Sequence, residues 1–431
     1  MTANAKQALI MATLAFAANF SVWTLFAVLG VHLAPTLDIS ATQYGLLISA
    51  PIITGALLRL PAGILCQYFS TKKLFVIQMA CLIPPLMMLN HINSFQGYVI
   101  AGLLLGISGV SFTIGISYVS AWFESKQQGT AMGIFGAGNS GAAITLLLTP
   151  LVIEHLGLEM VGPVFSLGTI VMILLFIWLA PSSEKSIQKS QPRYTHVAIT
   201  EHLKPLKSAN VWMFGLYYYF VFGSFLALLL WLPQYYIDVY KLSLSQAMAW
   251  TLVFATTSSL IRAIGGWYAD QYGGRSVNWS VFWICIVCLF FLSYPPTTMV
   301  IHGVEKDVPV SFQINLWVFN LLILIVGLAQ GFGRASVYKI INDYYPYQMG
   351  SVGGAVAMIG ALGGFTLPIL FGLAIDIGGV HTACFMLLYG LCAACMIVMY
   401  FAMKSEKYKH RMEDALNNDF LIQVRKSNLI K

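Results

Sequence analysis

Long apolar runs, separated by short polar segments, constrain this chain more than any other feature of its sequence. A hydrocarbon layer about 30 Å thick needs roughly 20 apolar residues in each helix that crosses it. Hydrophobic residues make up 58% of the 431 residues and charged ones 9%, too apolar for a soluble domain. The sequence therefore predicts an all-α membrane protein with twelve transmembrane helices, numbered here in chain order: 8–33, 44–69, 74–91, 97–122, 130–153, 161–181, 209–237, 246–271, 278–294, 314–341, 351–375 and 380–403.

The basic residues predict the orientation of these helices. Of the 23 lysines and arginines, four fall inside predicted helices, and only Lys241 and Lys306 fall on the face opposite the termini. Because lysine and arginine accumulate in cytoplasmic loops, we expect both termini in the cytoplasm of a protein of the cell inner membrane. The net charge of +7 then reflects topology and lipid contact rather than nucleic-acid binding. Residues 1–7 are too short and polar for a signal peptide, so helix 1 should stay in the mature protein.

A polar, basic linker divides the chain into two halves of six helices. The predicted units are an N-terminal bundle, the linker, a C-terminal bundle and a cytoplasmic tail: 1–181, 182–208, 209–403 and 404–431. The halves share a pattern at an offset of 203 residues, since RLPAGILCQYFSTKK from Arg59 aligns with RAIGGWYADQYGGRS from Arg262. Repeated bundles are typical of transporters, whose substrate site lies between the repeats near the membrane midplane. The two arginines are therefore predicted to face one another.

Neither arginine has an evident counter-charge. All 16 acidic residues fall in loops, in tails or at the ends of predicted helices. Two guanidinium groups facing one cavity repel each other unless water or an anion neutralises them. The guanidinium fork donates two parallel hydrogen bonds and so suits a small planar oxyanion. We predict that Arg59 and Arg262 bind an anionic substrate, with arginines bonded to water or to carbonyl groups as the alternative.

The same distribution bears on energy coupling. A proton-coupled symporter usually has a titratable group within the membrane, whereas the eight histidines also fall in loops or at helix ends. Direct proton coupling is thus disfavoured, which leaves anion exchange or uniport.

We predict no cofactor, no metal site and no enzymatic activity, because no cofactor motif, metal cluster or nucleophile with a base is visible. Two CxxC pairs within apolar helices are interpreted as packing residues, with metal or redox chemistry as the alternative.

Small and polar residues on four helices predict packing or binding. Asn139 on helix 5 is interpreted as an interhelical hydrogen bond or as a donor to a bound oxyanion. Of the tyrosines 217–219 on helix 7, at most one or two can face a cavity, and the others are interpreted as aromatic-belt or lipid-facing residues. Arg334 and Lys339 on helix 10 are interpreted as snorkelling residues or as a positive vestibule. Glycines at helical spacing on helices 5 and 11 favour close, mobile helix contacts: Gly136, Gly138, Gly141, Gly353, Gly354, Gly360, Gly363 and Gly364.

These segments resemble the nitrate/nitrite porter family of the major facilitator superfamily. The resemblance rests on LDISATQYGLLISAPIITGALLRLPAG around helix 2 and on GVSFTIGISYVSAWFESKQQGTAMGIFGAGNSG around helices 4 and 5, with the GxGNxG run of the first nitrate signature. It implies two bundles that rock about a central site. It also implies that Arg59, Arg262, Asn139 and Tyr218 bind substrate and that the helix 11 glycines belong to a second signature.

Two positions depart from the family pattern. Helix 10 has Arg334 and Ala335 where the family usually has asparagine and glycine, and Gln67 replaces the aspartate of the superfamily's loop motif after helix 2. Asp270 keeps that motif in the second half, where it is expected to form a cytoplasmic latch with Arg275.

The leading hypothesis is a monomeric carrier in the lipid bilayer that exchanges nitrate, nitrite or both by alternating access. A carrier for another small anion, such as a monocarboxylate or dicarboxylate, is the alternative within the same fold. A membrane sensor is the alternative from a different class, signalling through the basic tail, which is long enough for a short amphipathic helix on the membrane surface.

Overall fold

The twelve predicted helices are all present. The computed structural model describes residues 2–123, 125–182, 204–302, 307–345 and 349–428. Within this part of the chain, twelve helices are long and apolar enough to cross a membrane, and each overlaps one predicted span. Their membrane-spanning parts are Ala3–Leu37, Ala41–Cys66, Thr71–His91, Phe95–Ser120, Ala131–Leu156, Leu158–Leu179, Ala209–Tyr240, Leu244–Tyr272, Gly274–Leu292, Leu316–Tyr344, Val352–Gly378 and Ala383–Ser405.

Several spans are built from more than one helical segment. Helix 4 contains a 3₁₀ turn at Gly106–Val110, helix 5 one at Ala137–Gly141, and helix 7 a π-helical turn at Tyr219–Gly223. Such changes of winding are frequent at functional sites. The segments in chain order are Ala3–Trp23 and Phe26–Leu37; Ala41–Tyr68; Thr71–Ala80, Ile83–Met88 and Leu89–His91; Phe95–Leu105 and Ser111–Ser120; Ser125–Gly136 and Ala142–Leu156; Leu158–Met160 and Val161–Leu179; Ala209–Tyr218 and Ser224–Tyr240; Leu244–Tyr272; Gly274–Leu292; Leu316–Tyr344; Met349–Gly378; and Ala383–Asn428.

The internal repeat extends well beyond the two arginines. Asp38 and Lys241 end helices 1 and 7, and both adopt the left-handed conformation, with φ of 48° and 54°. Ser40 and Ser243 then cap helices 2 and 8, each in a reciprocal capping box with the glutamine three residues later. All of these pairs keep the offset of 203 residues. The arginines therefore lie at the same depth because their helices begin in the same way.

The two halves are sealed together on the face where helices 2 and 8 begin, which we call the distal face. The Asp376 carboxylate on helix 11 accepts hydrogen bonds from the backbone N–H of Ala41 (3.1 Å) and Thr42 (2.9 Å) and from the Thr42 hydroxyl (2.6 Å). A carboxylate at a helix N-terminus is also favoured by the helix dipole. Beside it, a Cβ on Gly45 would lie 2.2 Å from the carbonyl oxygen of Pro368, so the two backbones touch. We call these contacts between helices 2 and 11 the distal seal.

Two parts of the chain differ in detail from the predicted architecture. The loop between helices 9 and 10 contains an antiparallel hairpin of β1 (Thr297–His302) and β2 (Asp307–Phe312), whose alternating valine, isoleucine and threonine residues favour strands. Helix 12 runs without a break to Asn428, so the tail continues the membrane helix instead of forming a separate surface helix. Of the predicted linker, residues 183–203 lie outside the described part, and Lys204–Lys207 forms a 3₁₀ turn.

Candidate functional site

Arg59 lies at the interface between the halves and is 4% exposed. Its Nε donates to the carbonyl oxygen of Gly109 on helix 4 (3.4 Å), and its Nη1 donates to that of Ala357 on helix 11 (3.1 Å). Nη2 makes no hydrogen bond with a described residue. Three aromatic rings surround the guanidinium, with centres 5.3–5.9 Å from Cζ: Trp23, Phe112 and Phe222. All of these partners are neutral, so they hold the positive charge without cancelling it.

Arg262 occupies the equivalent position on helix 8 and is half-buried. Its Cζ, Nη1 and Nε atoms lie 3.4–3.6 Å from the point where a Cβ on Gly136 would stand, so the guanidinium lies against the backbone of helix 5. No described residue accepts a hydrogen bond from it. The charges of Arg59 and Arg262 are close enough to act on each other. The repeat thus places each arginine against a helix of the other half, while anion binding by them stays a prediction.

Arg334 is a third arginine in the same region, and its interpretation as a snorkelling or vestibule residue is wrong. Its side chain is 0% exposed. Nη2 donates to the Ser258 hydroxyl (2.7 Å) and carbonyl oxygen on helix 8, and the Phe225 ring centre lies 4.0 Å from Cζ. Nε and Nη1 are buried without a partner. With helix 10 ending at Tyr344, Arg334 lies about 15 Å from the helix end, too deep to reach the interface.

Lys339, one turn further along helix 10, has a different environment. Its Nζ lies 3.2 Å from an oxygen of Asp343 and 3.6 Å from one of Asp270 on helix 8. Arg275, the other predicted latch residue, lies with its Cζ 4.8 Å from the ring centre of Tyr344. These contacts join the ends of helices 8, 9 and 10 within the C-terminal half, and the latch function stays a prediction.

Tyr218 lies at the same interface as the arginines. Its ring stacks on that of Phe222 (centres 5.1 Å apart) and meets the Tyr338 ring edge-on (5.2 Å). The expectation that the neighbouring tyrosines face lipid is wrong for Tyr217, which is 2% exposed and packs against helix 9 inside the bundle.

Asn139 is buried in the 3₁₀ turn of helix 5, and its Nδ2 has no hydrogen-bond partner. It lies three residues after Gly136, the glycine that Arg262 contacts. Buried amide groups usually have a hydrogen-bond partner. The unpaired Nδ2 of Asn139 near Arg262 is therefore suited to donate to an oxygen atom of a ligand.

The predicted packing glycines make close contacts between helices at most positions. A Cβ on Gly141 would lie 2.0 Å from the carbonyl oxygen of Ala17 on helix 1, and one on Gly363 would lie 2.9 Å from Cα of Gly223 on helix 7. A Cβ would come within 3 Å of a neighbouring side chain at three further positions: Gly138, Gly360 and Gly364. Gly353 instead accepts a hydrogen bond from the Tyr338 hydroxyl (3.4 Å), and Gly354 faces open space.

Sequence reasoning missed four aromatic residues of this region and misplaced Arg334: the four are Trp23, Phe112, Phe222 and Tyr338. The aromatic residues carry no signal in an apolar sequence. Arg334 lies ten residues before the end of its helix in the structure, as Arg262 does in helix 8, but the predicted helix end at residue 341 hid this match.

Twelve membrane helices in two related halves, with arginines at the interface between the halves and close glycine contacts between helices, are typical of a secondary transporter. The Major Facilitator Superfamily model matches residues 11–365. The fold is similar to the crystal structure of the human organic anion transporter MFSD10 (TETRAN), with a TM-score of 0.69, 16% identity, and coverage of 92% of this chain and 100% of that one.

Two relatives place the chain more narrowly. The probable nitrate/nitrite antiporter NarK1 of Thermus thermophilus is 34% identical over 424 residues, which cover 95% of this chain and 94% of the relative. The nitrite extrusion protein of Bacillus subtilis is 26% identical over 412 residues, covering 95% and 98%. The chain belongs to the major facilitator superfamily and, within it, to the nitrate/nitrite porter family, as its motifs predicted. It is a multi-pass membrane transporter and not an enzyme.

Proposed function

We propose that this protein exchanges nitrate and nitrite across the cell inner membrane, as a monomer with both termini in the cytoplasm. The observation that carries the proposal is the pair Arg59 and Arg262, which lie at the interface from equivalent positions in the two halves. Each described carboxylate lies in a loop, in the tail or near a helix end, so a visiting anion is their natural counter-charge. The relatives' names supply the substrate, and the distribution of basic residues supplies the orientation.

The donors to the anion come from both halves. Arg59 offers Nη2 and Asn139 offers Nδ2 from the N-terminal half, while Arg262 and the Tyr218 hydroxyl belong to the C-terminal half. A planar oxyanion between them accepts charged hydrogen bonds from two directions and cancels part of the repulsion between the arginines. Binding therefore draws the two halves together around the substrate.

Alternating access then requires the distal seal to open and close. The Asp376 hydrogen bonds and the Gly45 contact with Pro368 join the halves on the distal face, so both must separate when the site opens there. A loaded carrier makes this change without the full repulsion between the arginines. An unloaded carrier keeps the repulsion and changes state slowly, so the proposed transport is exchange.

Counterflow is expected to be at least about tenfold faster than net flux, which corresponds to a barrier difference of about 1.4 kcal/mol. The measurement uses proteoliposomes with labelled nitrite outside and either nitrate or an impermeant anion inside. Equal initial rates in the two preparations would contradict exchange. Formate and acetate added at excess test the carboxylate alternative, which predicts that they compete as well as nitrate does.

Asn139→Ala is expected to raise the substrate concentration for half-maximal exchange about tenfold, because one hydrogen bond to a charged ligand contributes about 1.5–3 kcal/mol. The maximal rate should change less, since both arginines remain. Asn320→Ala is the matched control: its Nδ2 is also buried without a partner, but it lies at the distal start of helix 10. An unchanged affinity in Asn139→Ala would remove this residue from the site.

A further inference from the structure

Arg334 has no role in the cycle proposed above, although it lies in the same region. Its described contacts are with neutral groups, the Ser258 hydroxyl and carbonyl and the Phe225 ring. The Ser258 hydroxyl itself donates to the carbonyl oxygen of Gly327 (2.6 Å), so it takes part as an acceptor toward Arg334 and carries no charge. These contacts fix the position of the guanidinium and leave its positive charge unbalanced.

Arg334 is placed beside Arg262. Ser258, which binds Nη2 of Arg334, lies one helical turn before Arg262 on helix 8, and residues four apart lie on the same face of a helix. The charge of Arg262 acts on Arg334. The buried Nε and Nη1 atoms of Arg334 have no partner, and Arg262 donates to no described residue. Two adjacent guanidinium groups therefore have unused donors.

The charge of the region exceeds what one substrate ion can balance. Arg59, Arg262 and Arg334 together carry three positive charges, and one nitrate or nitrite ion leaves two of them uncompensated in a medium of low dielectric. Arginine stays protonated in proteins, so loss of a proton does not relieve the excess. A second monovalent anion lowers the residual charge and supplies acceptors for the unused donors.

We propose that Arg334 and Arg262 form a second anion subsite, which holds a small monovalent anion beside the one bound between Arg59 and Arg262. The inference rests on the proposed function and extends it: the carrier binds two anions per chain. Ser258 positions Arg334 for this subsite, and Phe225 covers one face of its guanidinium.

The test is the number of nitrate ions bound by the purified full-length chain, measured by equilibrium dialysis and by titration calorimetry in a chloride-free gluconate buffer. The wild type is expected to bind two nitrate ions per chain, and Arg334→Gln one. Lys339→Gln, which removes a cation on the same helix that is already paired with Asp343, is expected to keep both. One ion per chain in the wild type, or two in Arg334→Gln, would overturn the subsite.

Ser258→Ala is a second test variant, for use if Arg334→Gln does not fold, because it keeps the buried charge of Arg334. It removes the hydroxyl that positions Arg334, so the second binding step should weaken about tenfold while the first is unchanged. If both nitrate-binding steps of Ser258→Ala matched those of the wild type, the position assigned to the second subsite would be wrong. Absence of nitrate binding to the wild type would defeat the proposed function itself, whereas a single strong site would defeat only the second subsite.

Discussion

Exchange by Arg262→Lys is expected to fall about a hundredfold or more, with fold and membrane insertion intact. The guanidinium of Arg262 lies with three of its atoms 3.4–3.6 Å from the Cβ position of Gly136, which aims its planar fork into the interface. Lysine keeps the charge but not the fork. Losing two charged hydrogen bonds of about 1.5 kcal/mol each accounts for a factor of about a hundred.

The measurement is the initial rate of nitrate and nitrite counterflow in proteoliposomes, with the melting temperature and gel-filtration profile as tests of folding. Lys339→Arg is the matched control. It replaces a lysine by an arginine, the reverse substitution, at a partly exposed residue that is paired with Asp343 and Asp270. It should transport as the wild type does. If Arg262→Lys kept more than half of the wild-type rate, charge alone would suffice, and the role assigned to the guanidinium would be wrong.

Gly45→Val is expected to lower exchange at least about tenfold by disfavouring the distal seal. A Cβ at this position would lie 2.2 Å from the carbonyl oxygen of Pro368, and a backbone atom cannot turn aside as a flexible side chain can. Overpacking of this kind costs about 1–3 kcal/mol. The clash lies between the two halves, so it raises the free energy of the state closed on the distal face and leaves the fold of each bundle unchanged. The population therefore shifts toward states that are open on the distal face.

Spin labels at Thr36 and Ser245, exposed residues on the distal ends of the two halves, report this shift as a longer distance in Gly45→Val than in the wild type. Gly168→Val is the control, since Gly168 on helix 6 faces open space and its substitution should change neither distance nor exchange. A wild-type distance distribution together with lost transport would indicate a defect other than the one argued here.

The twelve helices were predictable because a membrane imposes one length and one composition on every element that crosses it. The equal depth of Arg59 and Arg262 was predictable for a related reason, since the repeat gives helices 2 and 8 the same start. Ser40 and Ser243 carry that signal plainly in the sequence, at the same offset as the arginines. The hairpin between helices 9 and 10 was missed because its strands are short and lie outside the spans.

The burial of Arg334 is the clearest feature of the site that the sequence did not predict. In the chain it resembles a residue near a helix end, and the predicted helix end at residue 341 falls short of Tyr344. Its burial depends on Ser258 and Phe225, which lie far away in sequence and come together only when helices 7, 8 and 10 pack. The aromatic rings around Arg59 are a similar case, because any apolar helix has such residues and only packing selects them.

By itself, the sequence determined that the chain lies in a membrane, how many helices cross it, that the two halves repeat, and how deep two arginines lie. All of these follow from composition and from spacing along the chain. Only the tertiary structure decided which neutral groups hold those charges, that a third arginine joins them, and that the halves are sealed on the distal face. These depend on distances between helices, which hydrophobic patterning along a single helix does not encode.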